Sequence, residues 1–129
     1  TLFRSKYGYD PLFLTALIIT ESSFYNRARS NRNAHGLMQL KPATAVMLAS
    51  EIRLQWKGTH TLDDPKKNIA LGAYYLNKLV DRFGDLTLAL EAYNQGPSRL
   101  SRFLRKGYLP QRYSKKVLKN YRRIRFQPI

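Results

Sequence analysis

In the stretch ALIITESSF, residues 16–24, apolar Leu17, Ile18 and Ile19 run straight into Glu21. Leu14, Leu17, Ile18 and Glu21 fall at helical intervals on one face, so the carboxyl is expected toward the core side of a helix end. Burial against apolar groups disfavours the charged form and keeps a carboxyl protonated near neutral pH, the state a general acid needs. The competing reading is a solvated glutamate at a helix terminus. The chain has eight acidic residues, and none lies between Glu21 and Glu51. A glycosidase ordinarily flanks the scissile bond with two carboxylates. No sequence neighbour of Glu21 supplies the second, and a single carboxylate suffices if the nucleophile belongs to the substrate itself.

Other chemistries lack their residues. There is no cysteine, hence no thiolate nucleophile and no disulfide. His35 and His60 are the only histidines, and they stand in no metal or triad spacing, so they read as ordinary surface or loop residues. A phosphate-binding loop, a dinucleotide fingerprint and a zinc motif are all missing. No metal and no cofactor are expected. The formal charge is +15, and the last acid in the chain is Glu91, while eleven Lys and Arg follow it. That field favours a polyanionic partner: nucleic acid, anionic lipid headgroups or an acidic cell-wall polymer. At 129 residues the chain is one domain with room for a real core. Its start at Thr1 reads as a processed form or an excised domain.

The elements that must position Glu21 are punctuated clearly. Asp10-Pro11 and Asp64-Pro65 each read as an N-cap followed by proline at the first helical position. The first opens a helix ending near Glu21. Residues 25–36 read as a polar loop, and Pro42 opens a second helix after a short apolar piece. Residues 52–62 form another loop. Ile69, Ala73, Leu76, Leu79, Val80 and Phe83 phase a third helix, closed by Gly84. LTLALEAYNQ is a short helix stopped by Gly96-Pro97, a further helix runs from about 97 to 106, and a basic last helix carries Tyr113, Val117, Tyr121 and Ile124. No strand pair is evident, and the class is all-α.

Three stretches, ESSFYNRARS, GLMQLKPATA and ALEAYNQGPSRL, resemble in order and spacing the motifs of soluble-type lytic transglycosylases. DDPKKNIALGAYYLNKLVDRFGD is similar to that family's connecting helix, so the likeness covers roughly residues 7–124. The resemblance implies a lysozyme-like helical domain, residues 1–129, with a glycan-binding groove. It implies cleavage of the β-1,4 bond between N-acetylmuramic acid and N-acetylglucosamine in peptidoglycan without added water. In that family the muramic C6 hydroxyl attacks its own C1, the neighbouring N-acetyl group steadies the cationic centre, and a 1,6-anhydro end is left. Glu21 matches the glutamate that serves as acid and then as base. Ser22 completes the Glu-Ser pair. Ser30 matches a serine touching the sugar, Gln39 a groove glutamine, Tyr93 and Asn94 the Ala-Tyr-Asn motif, and Tyr113 a late tyrosine facing the catalytic glutamate. Met38 is expected to pack beneath its turn. Peptidoglycan strands and an anionic envelope surface are the implied partners, acting on a monomer in the periplasm or at the outer membrane of a bacterial cell envelope; no nucleic acid is expected.

Three departures stand out. Lys41 occupies a position where the family usually has Met. Glu91 replaces a small residue, and either faces solvent or adds a second carboxylate near the groove. The stretch LPQRYSKKV lacks the acid that often precedes the late tyrosine. Two rivals share the residues: a goose-type muramidase, in which Asp63, Asp64 or Glu91 holds a water, and a non-catalytic basic module binding nucleic acid or a cell surface.

Overall fold

The computed structural model describes residues 4–5 and 8–126; the remaining positions of the expected 1–129 domain lie outside the described residues. Six helices follow a minimal antiparallel pair, β1 (Arg4–Ser5) and β2 (Gly8–Tyr9). No strands were expected, and two residues a side are too few for an alternating pattern to show in sequence. The class remains all-α.

Helix α1 (Pro11–Ser22) starts where its cap dictates: Asp10 Oδ1 accepts the Leu12 N–H at 2.9 Å, with proline at the first helical position. It buries Phe13, Ala16, Leu17 and Ile18, while Leu14 lies on the flank. Ser23, at φ 51°, closes the helix immediately beyond Glu21 and Ser22. Helix α2 (Pro42–Glu51) begins at Pro42 as expected. The 52–62 stretch is not all loop, because Thr59–Asp63 form a single 3-10 turn, too short for a hydrophobic period to register.

Helix α3 (Pro65–Phe83) is capped by Asp64, which accepts from the Lys67 N–H at 3.2 Å, and ends at Gly84 with φ 72°. Its deepest stripe is Asn68, Leu71, Gly72, Leu76 and Leu79. Ile69, Ala73, Val80 and Phe83, expected on the inner face, are half-buried at its side. Helix α4 (Leu86–Gln95), capped by Asp85, buries five residues in succession from Ala89 to Tyr93. A helix packed on all sides has no solvent face, and α4 sits between α3, α5 and α6. Helices α5 (Pro97–Arg105) and α6 (Arg112–Arg125) complete the body.

One core gathers residues from Phe13 to Tyr121. Each fully buried Leu, Phe or Met in it contributes about 1.5–3 kcal/mol relative to exposure. Helix α6 is fastened to α1 by hydrogen bonds as well as packing. Tyr121 Oη donates to Asp10 Oδ2 at 2.8 Å, and Asn120 Nδ2 donates to Thr20 Oγ1 at 2.8 Å. This pairing brings the start of α6 to the end of α1, where Glu21 lies.

Candidate active site

Glu21 is half-buried in the last turn of α1 and opens on a cavity of about 530 Å³. Loss of solvent pushes its carboxyl up to about 7. Two groups from α6 oppose that shift: the Tyr113 hydroxyl, which donates a hydrogen bond to Glu21 Oε2, and the Lys116 ammonium. The result is a carboxyl poised to be protonated or ionised close to neutral pH, as acid–base exchange with a substrate requires.

The opposite wall is the turn spanning residues 35–40. Its backbone is clamped from two helices. Asn68 of α3, fully buried, receives the Met38 N–H on Oδ1 at 2.8 Å and donates Nδ2 to the His35 and Leu62 carbonyls, both at 3.0 Å. Tyr93 Oη of α4 donates to the Met38 carbonyl at 2.5 Å. Met38 itself is fully buried against Gly72, where an added Cβ would stand 2.5 Å from Met38 Sδ. Gly36 turns the chain at φ 81°, and a Cβ there would strike Asn68 Nδ2 at 2.2 Å. With Met38 fixed, Gln39 at φ 51° is held at the cavity, its Nε2 donating to the Ala28 and Gly36 carbonyls.

The structure brings Glu21, Ser30, Gln39, Tyr93 and Asn94 to this one cavity. Ser30 also serves its loop, since Oγ accepts from the Arg32 and Ala34 N–H groups at 3.2 and 3.0 Å. Tyr93 spends its hydroxyl on Met38, and burial raises its phenol well above the ordinary value. Ser22 and Tyr113 do not line the cavity. Ser22 Oγ donates to the Leu37 carbonyl at 2.8 Å, tying the end of α1 to the 35–40 turn. Tyr113 stands behind Glu21 and reaches the site through that carboxyl.

The acids proposed to hold a water are engaged elsewhere. Asp63 pairs with Arg29 at 2.7 Å, Asp64 caps α3, and Glu91 is 1% exposed, with Oε2 accepting the Ser114 N–H at 2.6 Å. Glu91 therefore neither faces solvent nor enters the cavity, because α4 is enclosed by its neighbours at that position. Glu21 is the one carboxyl lining the cavity among the described residues. Among those residues no cluster of His, Asp and Glu is placed to hold a metal ion. His35, read as a surface or loop residue, lies in the loop but is buried, its backbone paired with Leu40.

Several cavity residues were not singled out from the sequence: Arg32 outside the motifs, and Thr44, Tyr75 and Gln95 within the stretches quoted. Tyr75 packs its ring 5.4 Å from that of Tyr93. The signal for it was an aromatic on α3 off the apolar stripe. Asn68 was missed for the same reason, as a polar residue sharing the spacing of Gly72 and Leu76.

A helical body with one half-buried carboxyl facing a polar cleft is the layout of a lysozyme-like domain. The family model described as Transglycosylase SLT domain matches residues 3–115, and the chain belongs to that family. It is 37% identical over 116 residues to a transglycosylase of Enterobacteria phage PRD1, covering 90% of this chain and 39% of that protein. A predicted soluble lytic murein transglycosylase of Haemophilus influenzae is 38% identical over 93 residues, covering 71% of this chain and 16% of that one. Among solved structures, the 70 kDa soluble lytic transglycosylase of Escherichia coli superposes with a TM-score of 0.80 at 26% identity, over 95% of this chain and 23% of that chain. A complex of the 70 kDa soluble lytic transglycosylase with bulgecin A superposes with a TM-score of 0.81 at 25% identity over 94% and 22% of the two chains. The chain thus spans well under half the length of the relatives it matches.

Proposed function

We propose that residues 1–129 act as a single catalytic domain, a lytic transglycosylase cleaving the β-1,4 bond between N-acetylmuramic acid and N-acetylglucosamine in peptidoglycan. The observation that carries this reading is the solitary carboxyl: Glu21 faces the cavity, is pushed up to about 7, and no second acid among the described residues lines that cavity. Hydrolysis by the usual routes would call for that second carboxylate. Protonated Glu21 delivers its proton to the glycosidic oxygen as the bond to muramic C1 breaks. The muramic C6 oxygen then bonds to C1, and its proton passes to the Glu21 carboxylate, which restores the acid. Both protons are accounted for, and no water is consumed. Ser30, Gln39 and Asn94 are assigned to holding saccharide. Tyr93 is assigned to fixing the wall that carries Gln39, Ser22 to fixing the end of α1, and Tyr113 to tuning Glu21.

The experiment is mass spectrometry of the products from purified sacculi. Muropeptides ending in 1,6-anhydromuramic acid are expected. Reducing muramic ends would instead assign the reaction to a muramidase.

The setting follows from the charge. Helix α6 exposes Lys115, Lys116, Lys119, Arg122 and Arg123, and no acid follows Glu91 in the chain. A cationic face of this kind suits an anionic envelope polymer and supports a setting in the bacterial envelope. No helix among the described residues is long and apolar enough to cross a membrane.

A further inference from the structure

Helix α6 lacks a cap of its own. Its N-cap residue, Gln111, makes no side-chain hydrogen bond to the first turn, and that turn carries no acid. A helix start exposes unpaired N–H groups and a partial positive charge, and a buried start needs a partner for them. Here the partner comes from another helix. Glu91, in the middle of α4, points Oε2 at the Ser114 N–H at 2.6 Å, and both residues are buried. Its second oxygen, Oε1, accepts from Gln95 Nε2 at 3.2 Å, and Gln95 lines the cavity.

Ser114 is the residue next to Tyr113, whose hydroxyl donates to Glu21. The bond that pins the Ser114 N–H therefore also sets how far Tyr113 reaches along the α1–α6 seam. We propose that Glu91 is a positioning residue for catalysis: a cap supplied by α4 that seats the start of α6 and so holds the Tyr113 hydroxyl on the Glu21 carboxyl. The inference rests on Glu21 being the catalytic acid, but its central claim is geometric and is read without turnover.

Two readouts test it. The first is NMR titration of the Glu21 carboxyl, which needs no substrate. The groups facing that carboxyl are Tyr113 and Lys116 from α6 and Tyr93 from α4. Since the Tyr113 hydrogen bond favours the ionised form, losing it moves the midpoint to higher pH. Glu91→Leu should move it upward as Tyr113→Phe does, and the double variant should go no further. Glu91→Gln keeps an oxygen for the Ser114 N–H and should leave the midpoint in place. The second readout is turnover on sacculi. Glu91→Leu and Tyr113→Phe should each lower kcat roughly tenfold to a hundredfold with little change in KM. Their combination should cost no more than either alone, and Glu91→Gln should stay within about threefold of the parent.

A folded Glu91→Leu protein with an unmoved Glu21 midpoint overturns the proposal, as does a double variant whose losses multiply. If the leucine variant does not fold, Glu91→Asp takes its place. It keeps the carboxylate but, one methylene shorter, gives up the bond, and a parent-like midpoint there overturns the proposal equally. Should every variant and the parent be inactive while the midpoints move as described, the catalytic assignment fails and the positioning stands.

Discussion

The Tyr113 hydroxyl donates to the Glu21 carboxyl across 92 residues of chain, joining the first helix to the last at the cavity. The two partners pull in opposite electrostatic directions. Burial of Glu21 favours its neutral acid, whereas the phenol stabilises the carboxylate left after proton transfer. Burial and the nearby carboxyl also raise Tyr113 well above its ordinary value, so it stays a donor throughout the cycle. The pair is thus set to hold both states of one carboxyl near neutral pH.

Tyr113→Phe removes the donor while keeping the ring. Glu21 should then titrate at higher pH than about 7. The alkaline limb of kcat/KM, where the general acid is lost, should move upward with it. The rate at the optimum should fall roughly tenfold to a hundredfold, the range for a hydrogen bond to a charged group. A pH–rate profile on sacculi reads both effects, and an unmoved limb would break the link between Tyr113 and the acid.

Glu21→Gln should separate function from stability. An amide cannot deliver and retrieve a proton, so cleavage should fall by several orders of magnitude, roughly 10²–10⁴-fold or more. Stability should move the other way. The folded protein holds the Glu21 proton up to about 7, whereas an unfolded glutamate releases it near 4.5. Between those values the native state binds more protons, so the parent loses stability as pH rises. The variant escapes this loss. Its advantage should be absent near pH 4 and reach about 2–3 kcal/mol above neutrality. Denaturant unfolding at several pH values measures it, and a pH-independent difference would contradict the raised carboxyl.

How far the site was legible depends on the kind of signal. Asp10-Pro11, Asp64-Pro65 and Pro42 are local cap chemistry, and each helix starts where they stand. Glu21 could be placed because it continues the apolar spacing of Leu17 and Ile18. Glu91 could not. Its Ser114 partner lies on another helix, 23 residues along the chain, and nothing in the spacing of α4 announces it. Ser22 and Tyr93 show the same limit. Motif order brought them to the site, but only tertiary contact revealed that their hydroxyls hold the Leu37 and Met38 carbonyls. Asn68 shares the spacing of Gly72 and Leu76, but what a buried asparagine does is set by its partners, and those come from other segments.

Asn68→Ala tests that clamp. It would orphan the Met38 N–H and the Leu62 carbonyl and leave the His35 carbonyl only the Leu40 N–H. Three buried hydrogen bonds at about 1 kcal/mol each predict a loss of ~3 kcal/mol, with more if water cannot enter. Glycan affinity should also weaken, since Gln39 follows Met38 directly. Thermal unfolding and KM on a soluble muroglycan report the two effects, and a stable variant with an unchanged KM would remove Asn68 from the site's support.

Lys41 and Arg32 are exposed and line the cavity, where Glu21 is the one carboxyl among the described residues. A cation there is suited to a carboxylate on the stem peptide. Lys41→Met should raise KM by about fivefold for peptide-bearing strands, the scale of one exposed ion pair at ~1 kcal/mol. Strands stripped of peptide should be bound as before. Equal effects on both substrates would mean that Lys41 touches sugar or nothing.

The charge on α6 makes the last prediction. Lys115, Lys116, Lys119, Arg122 and Arg123 are all exposed along the helix, and Lys116 is close enough to Glu21 to bear on its titration. Exposed charges act over about a Debye length, ~8 Å at physiological salt, so an anionic polymer held by them should be released as salt rises. Binding to whole sacculi should weaken from about 50 to about 500 mM salt, a range that carries the screening length from well above to well below the reach of these side chains. Turnover of a short soluble muroglycan should change much less, because its grip lies in the cavity and not on α6. Neutralising the five cations together should reproduce the effect of salt at low ionic strength. Neutralising Arg102 and Arg105 on α5 provides a control with two cations on another helix. If sacculus binding ignores both salt and the five substitutions, the α6 face is merely solvated. If the domain instead binds nucleic acid tightly at physiological salt and cleaves no glycan, the charge serves a different polyanion and the catalytic reading falls with it.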